Sequence, residues 1–168
     1  MKDTNQLIGI FKALMIANNY PVANPVAPDV MADLMRKAVP AEWDAQKRRV
    51  YEDIQRLMIN RLDYSDMFKI MDGLEYNGLT LYSMVQAENG EPVWSNIYIR
   101  NFETRDNDIY VDLNLSDKVL IGEDGMSVFA YSFTDDCFEI RDKASTDYVI
   151  ESHAHFSELL SALVDTVN

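Results

Sequence analysis

Asp72-Gly73-Leu74-Glu75-Tyr76-Asn77-Gly78-Leu79-Thr80-Leu81-Tyr82-Ser83 is the stretch at which the hydrophobic period of the chain changes. Before it, apolar residues recur about every 3.6 positions, the spacing of a helix face, and after it they mostly recur every second position, the spacing of a strand face. Gly73 follows the apolar run around Met67, Phe68, Ile70 and Met71 and can take the left-handed conformation that closes a helix. Asn77-Gly78 supplies a second turn. From Leu79 onward, Leu79 and Leu81 alternate with Thr80 and Tyr82, which predicts a half-buried strand, the first of the sheet.

Upstream of this switch the chain is helical. Leu7, Ile10, Phe11 and Leu14 make one stripe of a helix over residues 3–18, with Asp3 or Thr4 as its cap. Tyr20-Pro21-Val22-Ala23-Asn24-Pro25-Val26-Ala27-Pro28 cannot be helical, because each proline lacks an N–H and forces its predecessor into extended geometry. Its valines predict a stiff connector laid against the domain. Asp29 is expected to cap a helix reaching residue 38, and Pro40 suits the first turn of a longer one over 41–62, with Trp43, Val50, Ile54, Leu57 and Leu62 on its inner face. Lys47-Arg48-Arg49 has Glu52 and Asp53 within a turn and so predicts surface pairing. Ser65 is expected to cap a final short helix.

Downstream, 87–92 is a polar loop, and Ser95-Asn96 can cap a helix over 97–106, where Ile97, Tyr98 and Phe102 fit a helix no better than Tyr98, Arg100 and Phe102 fit a strand; the helix is the preferred alternative. Strands are expected at 109–115, 119–121, 126–131, 137–140 and 148–150, divided by turn clusters such as Glu123-Asp124-Gly125 and Thr134-Asp135-Asp136. A last helix over 155–167 carries Phe156, Leu159, Leu160, Leu163 and Val164 on its core side. The fold class is therefore α+β, an antiparallel meander sheet flanked by N-terminal helices and a C-terminal helix. A length of 168 residues supports one domain, helical over 1–62 and sheet-containing over 63–168.

Charge is unevenly distributed along the chain. The formal net charge is −13, yet residues 1–62 hold nine Lys and Arg against seven Asp and Glu, whereas 101–151 hold four against thirteen. Acid in the strand half repels nucleic acid and anionic membranes and favours encounter with a basic partner. No apolar run suits a membrane span or a leader, and the single cysteine, Cys137, excludes an intramolecular disulfide, so a cytoplasmic protein is expected. Cys137, beside Phe138, reads as a core residue rather than a nucleophile.

Motifs of catalysis are missing from the sequence. It has no Gly-rich phosphate loop, Cys-x-x-Cys or His-Glu-x-x-His, so no cofactor is expected. His153 and His155 could begin a metal site with the paired acids of the turns, as in a metal-dependent hydrolase, but no further ligand is marked by spacing. The pair reads more simply as the entry to the last helix. Without a nucleophile–base pair the expectation is a binding protein, not an enzyme.

Three stretches resemble the SUKH superfamily (Smi/Knr-like), and within it the YrhA-like branch. Phe68-Lys69-Ile70-Met71 through Asn77-Gly78-Leu79 to Tyr82-Ser83 is similar to its short helix, Asn-Gly-Leu turn and strand ending in tyrosine. Leu120-Ile121-Gly122-Glu123-Asp124-Gly125-Met126-Ser127-Val128-Phe129 is similar to its strand, Gly-Asp turn and strand, and Phe156-Ser157-Glu158-Leu159-Leu160 to its last helix. Asp72 stands where the family usually has asparagine, and residues 1–40 lie outside the resemblance. It implies an antiparallel sheet flanked by helices and, for bacterial members, an immunity protein that binds and neutralises a toxin domain. Eukaryotic relatives imply an alternative, an intracellular adaptor or regulatory scaffold without a toxin. Given the acidic charge, a basic nuclease-type toxin is the expected partner. Glu123, Asp124, Asp135 and Asp136 are expected to form part of the partner-binding surface, projecting together from one sheet edge.

Overall fold

Asn77 and Gly78 both take positive φ, 52° and 84°, the pair of left-handed residues that a two-residue hairpin turn requires. They join β1 (Leu74–Tyr76) to β2 (Leu79–Leu81) in register Tyr76 to Leu79. The sheet therefore starts before the Asn-Gly turn, not after it: three residues are too few to display alternation, and the turn itself was the signal. β2 is also not half-buried, since Leu79, Thr80, Leu81 and Tyr82 are all buried. Segment 93–97 lies over the exit of the strand, where Ser83 donates to the Ser95 carbonyl and accepts from the Ile97 N–H.

The computed structural model describes residues 1–106 and 110–168. Helix α1 (Thr4–Ala17) starts from an Asp3 cap that accepts from Gln6 N while Gln6 reaches back to Asp3 N, a reciprocal capping box. The proline-rich connector lies against the domain as expected: Val26 is buried, its N–H donates to the Phe68 carbonyl, and the Asn24 carbonyl accepts from Asp72 N. Helix α2 (Pro28–Arg36) places Pro28 in its first turn, so the start falls before Asp29. Helix α3 (Ala45–Asn60) starts later than the expected residue 41, because Asp44 accepts from Lys47 N and caps it there. Trp43 thus precedes the helix, and Leu62 opens the short α4 (Leu62–Ser65) as an exposed residue. Ser65 ends α4 and leads into a 3-10 turn, Asp66–Lys69.

The polar loop after β2 contains a small hairpin of β3 (Ala87–Glu88) and β4 (Glu91–Pro92). Helix α5 (Ile97–Arg105) confirms the helical alternative, with the Asn96 carboxamide oxygen accepting from Tyr98 N and Ile99 N. Of the expected strand at 109–115, residue 109 lies outside the described residues and 110–115 form no strand. There Asp112 Oδ1 accepts from Asn114 N, a local bond that holds a turn instead of a ladder, and Oδ2 accepts from the distant Thr146 Oγ1. The meander itself is β5 (Lys118–Glu123), β6 (Ser127–Ser132), β7 (Cys137–Asp142) and β8 (Val149–His153), followed by α6 (Phe156–Val167).

Six strands in the order β1-β2-β5-β6-β7-β8, each antiparallel to its neighbours, make the main sheet. Register puts Phe129 opposite Ile140 and Tyr131 opposite Phe138 on one face. That face packs on helices: the Phe138 ring lies 5.4 Å from Phe156 of α6 and 6.2 Å from Tyr64 of α4. Helix α1 packs on α6, so the N-terminal helices and the closing helix share this core. The opposite face carries the Glu139–Arg141 ion pair, with Arg141 also donating to the Thr146 carbonyl.

Helix α5 closes an edge that β2 is too short to cover. Asn101 donates to the Leu120 carbonyl at 2.9 Å and accepts from Leu120 N at 2.7 Å, and one helical turn later Arg105 donates to the Lys118 carbonyl at 2.6 Å. The match is geometric, since four residues of helix and two of strand both advance about 6 Å. Arg105 is held in turn by Asp53 of α3.

Candidate partner-binding surface

Antiparallel alternation decides where the acidic turns go. β5 and β6 are joined through Asp124, Gly125 and Met126, and β6 and β7 through residues 133–136, so the two turns leave β6 at opposite ends. The six residues of β6 hold them about 17 Å apart at ~3.4 Å per step. Glu123 and Asp124 therefore do not share one sheet edge with Asp135 and Asp136, contrary to the expectation, because successive turns of a meander alternate between ends.

At the far end Asp135 and Asp136 brace the fold. Asp136 has φ 47° and its carboxylate accepts from the Tyr131 hydroxyl and from Arg61 Nη1. The Tyr131 hydrogen bond first, and Arg61 with it, hold the Asp136 carboxyl below the ordinary carboxylate range. Asp135 exchanges hydrogen bonds with Ser132 Oγ, 3.3 Å each way. Arg61 also pairs with Asp63 and donates to the Ala154 carbonyl at 2.6 Å, while Asp63 accepts from Phe156 N at 2.7 Å. One guanidinium thus joins the α3–α4 junction, the β6–β7 turn and the entry to α6. Sequence spacing could not reveal it, since Arg61 and Asp136 are 75 positions apart.

At the near end three turns converge: β1–β2, β5–β6 and β7–β8, whose proximity is fixed by Thr80 facing Glu123 and Ser127 facing Asp142. Glu123 is only 15% exposed in its side chain and is neutralised by Arg100 at 3.2 Å and Lys143 at 2.9 Å. Asp124 and Asp142 are held differently. Asp124 Oδ1 accepts from Met126 N and Ser127 N, and Asp142 Oδ1 from Ala144 N and Ser145 N, two Asx turns that leave each Oδ2 without a partner among the described residues. With the end of α6 these turns surround a groove of about 480 Å³. Its floor is apolar, with Leu79, Phe129, Ile140 and Leu163, and its only charged lining residues among those described are Asp124, Asp142 and Glu151. Met126 and Ile150 stand at its rim, 80% and 45% exposed.

The histidines and the cysteine take structural places. His153 Nε2 lies 2.9 Å from Glu151 Oε2, and the His155 N–H donates to the Glu158 carboxylate at the start of α6. Among the described residues no group of three or more His, Cys, Asp and Glu could hold a metal ion. Cys137 is half-buried, and burial, with Glu139 and Asp135 adding to it, pushes its thiol up and away from the reactive thiolate.

A second cavity, of about 330 Å³, opens between α2, α3 and α5 and is lined by Leu34, Pro40, Trp43, Tyr51 and Tyr98. Tyr51 stacks on Tyr98 at 4.3 Å and meets Trp43 edge-on at 4.9 Å. Burial pushes the pKa of both tyrosines up, favouring the neutral phenols. These three aromatics come from separate segments, and nothing in their spacing announced that they meet.

Together the fold and the groove define an α+β protein with an acid-rimmed, apolar-floored groove at the hairpin end of an antiparallel sheet. Over 132 residues the chain is 26% identical to the uncharacterised protein YrhA of Escherichia coli (strain K12); the alignment takes in 79% of this chain and 91% of YrhA. No protein-family model matches the chain, and no solved structure matches it. Among the described residues no helix is long and apolar enough to cross a membrane.

Proposed function

We propose that this chain is an immunity protein of the SUKH superfamily, YrhA-like branch, which binds and neutralises a basic toxin domain in the cytoplasm. The observation that carries the proposal is the hairpin-end groove, where fixed carboxylates surround an apolar floor and no lysine or arginine lines the cavity among the described residues. A cationic surface built to bind nucleic acid is the complement of such a site, so a nuclease toxin is the favoured class. The similarity to YrhA and the Asn77-Gly78 hairpin that carries the SUKH resemblance support the family. On this proposal the protein works by occlusion, without catalysis or cofactor, and repels nucleic acid and anionic membranes. Co-expression with the C-terminal toxin domain encoded beside it is expected to restore growth and yield a complex. Failure of both rescue and complex formation overturns the proposal.

The aromatic cavity favours a second reading, an adaptor or regulatory scaffold that holds a segment of another protein against Trp43, Tyr51 and Tyr98. Aromatic-lined grooves suit proline-rich or apolar peptides. A large secreted protein with a variable C-terminal domain encoded immediately upstream separates the two in favour of immunity.

A further inference from the structure

We infer that the hairpin-end groove receives an arginine or lysine side chain presented by a loop of a basic protein partner, its aliphatic stem on the apolar floor and its cationic head among Asp124, Asp142 and Glu151. The inference rests on the binding-protein proposal above and names the surface and the chemistry of the contact.

Long cationic side chains pack their methylenes on apolar surface while keeping the charged head among polar groups. The groove is built in that order. Leu79, Phe129, Ile140 and Leu163 form the floor, and three carboxylates without a lining cation among the described residues form the rim. Asp124 and Asp142 are pre-set, because two backbone N–H groups hold one oxygen of each. Little side-chain entropy is then lost when the other oxygen accepts a guanidinium or ammonium. Two neighbours leave the rim oxygens open: Lys143 Nζ is taken by Glu123 at 2.9 Å and by the Asp124 carbonyl, and His153 Nε2 meets Glu151 through Oε2, leaving Oε1 without a partner among the described residues. A cavity of about 480 Å³ exceeds one side chain, so a loop's neighbouring apolar residue can enter beside the cation against Met126, whose thioether adapts to its partner. Charge selects the occupant. Nucleic acid and anionic lipid carry the sign of the rim, a second copy of this chain carries its own −13, and a metal ion has no cluster of three ligands to enter among the described residues.

Two measurements test the inference, and they fail separately. In the first, amide NMR shifts of the isolated protein are followed during titration with a cyclic hexapeptide presenting Leu-Arg-Arg-Leu, against the same peptide with citrulline for arginine. Shifts are expected at 77–79, 124–127, 150–151 and 163–167, absent with citrulline and absent in Asp124→Asn/Asp142→Asn/Glu151→Gln. Asparagine keeps the Oδ1 acceptor that each turn uses, and Met126→Ser/Ile150→Thr offers a charge-neutral variant should the first melt early. Shifts centred on Asp135 and Asp136, or equal shifts with citrulline, overturn the inference whatever the protein's biological role. In the second, binding of the neighbouring toxin domain is measured for wild type and both variants. The charge variant is expected to weaken binding about tenfold or more, mainly through slower association at low salt. Undiminished binding by both variants overturns the groove as the contact. A wild type that binds no toxin domain overturns the immunity proposal and leaves the peptide titration to decide the groove.

Discussion

Gly73 has φ 75°, and a Cβ placed there would lie 2.7 Å from the Leu81 carbonyl oxygen and 2.9 Å from Ser83 N. Both the left-handed backbone and the backbone contact forbid a side chain, so Gly73→Val should cost about 1 kcal/mol or more. Urea unfolding with an unchanged midpoint would show the turn to be tolerant. Beside it Asp72 accepts at both oxygens, Oδ1 from Met84 N at 2.6 Å and Oδ2 from Val85 N at 3.0 Å, a bidentate role that an amide cannot fill. Burial nevertheless raises its pKa, outweighing the backbone N–H groups that favour the charged form. With the folded pKa above the unfolded value, the native state holds the extra proton between the two, so this contribution to stability falls as pH rises through that window. The stability of wild type minus that of Asp72→Asn should therefore decline as pH rises from the unfolded carboxylate pKa, about 4, towards neutrality. A difference that stays flat would remove burial as the dominant influence. Asp136 has the opposite sign: its lowered pKa contributes stability above the unfolded value, lost as pH falls through the folded one.

At the scale of elements, α5 shows how a helix can stand in for a strand. Its existence was legible only from the Ser95-Asn96 cap, because Ile97, Tyr98 and Phe102 fit a helix no better than Tyr98, Arg100 and Phe102 fit a strand; the buried side is Ile97, Tyr98, Asn101 and Arg105. Its seat against the β5 edge was not legible, since Asn101 finds Leu120 only once the sheet has formed. Asn101→Ala leaves the buried Leu120 N–H and carbonyl without that partner, and each such loss costs about 1–3 kcal/mol. A drop of at least about 2 kcal/mol in unfolding free energy, with amide exchange quickened at Leu120, is expected. Unchanged exchange there would mean that the edge is protected by something other than α5.

For the whole molecule, the −13 net charge opposes compaction by self-repulsion. Raising NaCl from about 0.01 M to 0.15 M shortens the screening length from ~30 Å to ~8 Å. The melting temperature should rise over that interval, and a fall would show that ion pairs such as Arg61–Asp63–Asp136 outweigh the repulsion. Over the same interval association with a basic partner should slow, so stability and encounter respond to salt in opposite directions.

The sequence alone determined the local features. Caps, prolines and the Asn-Gly turn act over three or four residues, and they marked the helices, most of the meander strands and the α+β class. Where local bonds competed, as at Asp112 and Asp44, the boundaries moved, because a side chain that bonds its own backbone overrides a hydrophobic pattern. The site was legible only in its chemistry: acid concentrated in the strand half. Which acids stand together was decided by the tertiary structure, for strand direction sends alternate turns to opposite ends, placing Asp124 with Asp142 and Glu151 and placing Asp136 with Arg61. Pairing across 75 positions depends on the closed sheet and its packed helices, and no pattern along the chain encodes it in a form that spacing can show.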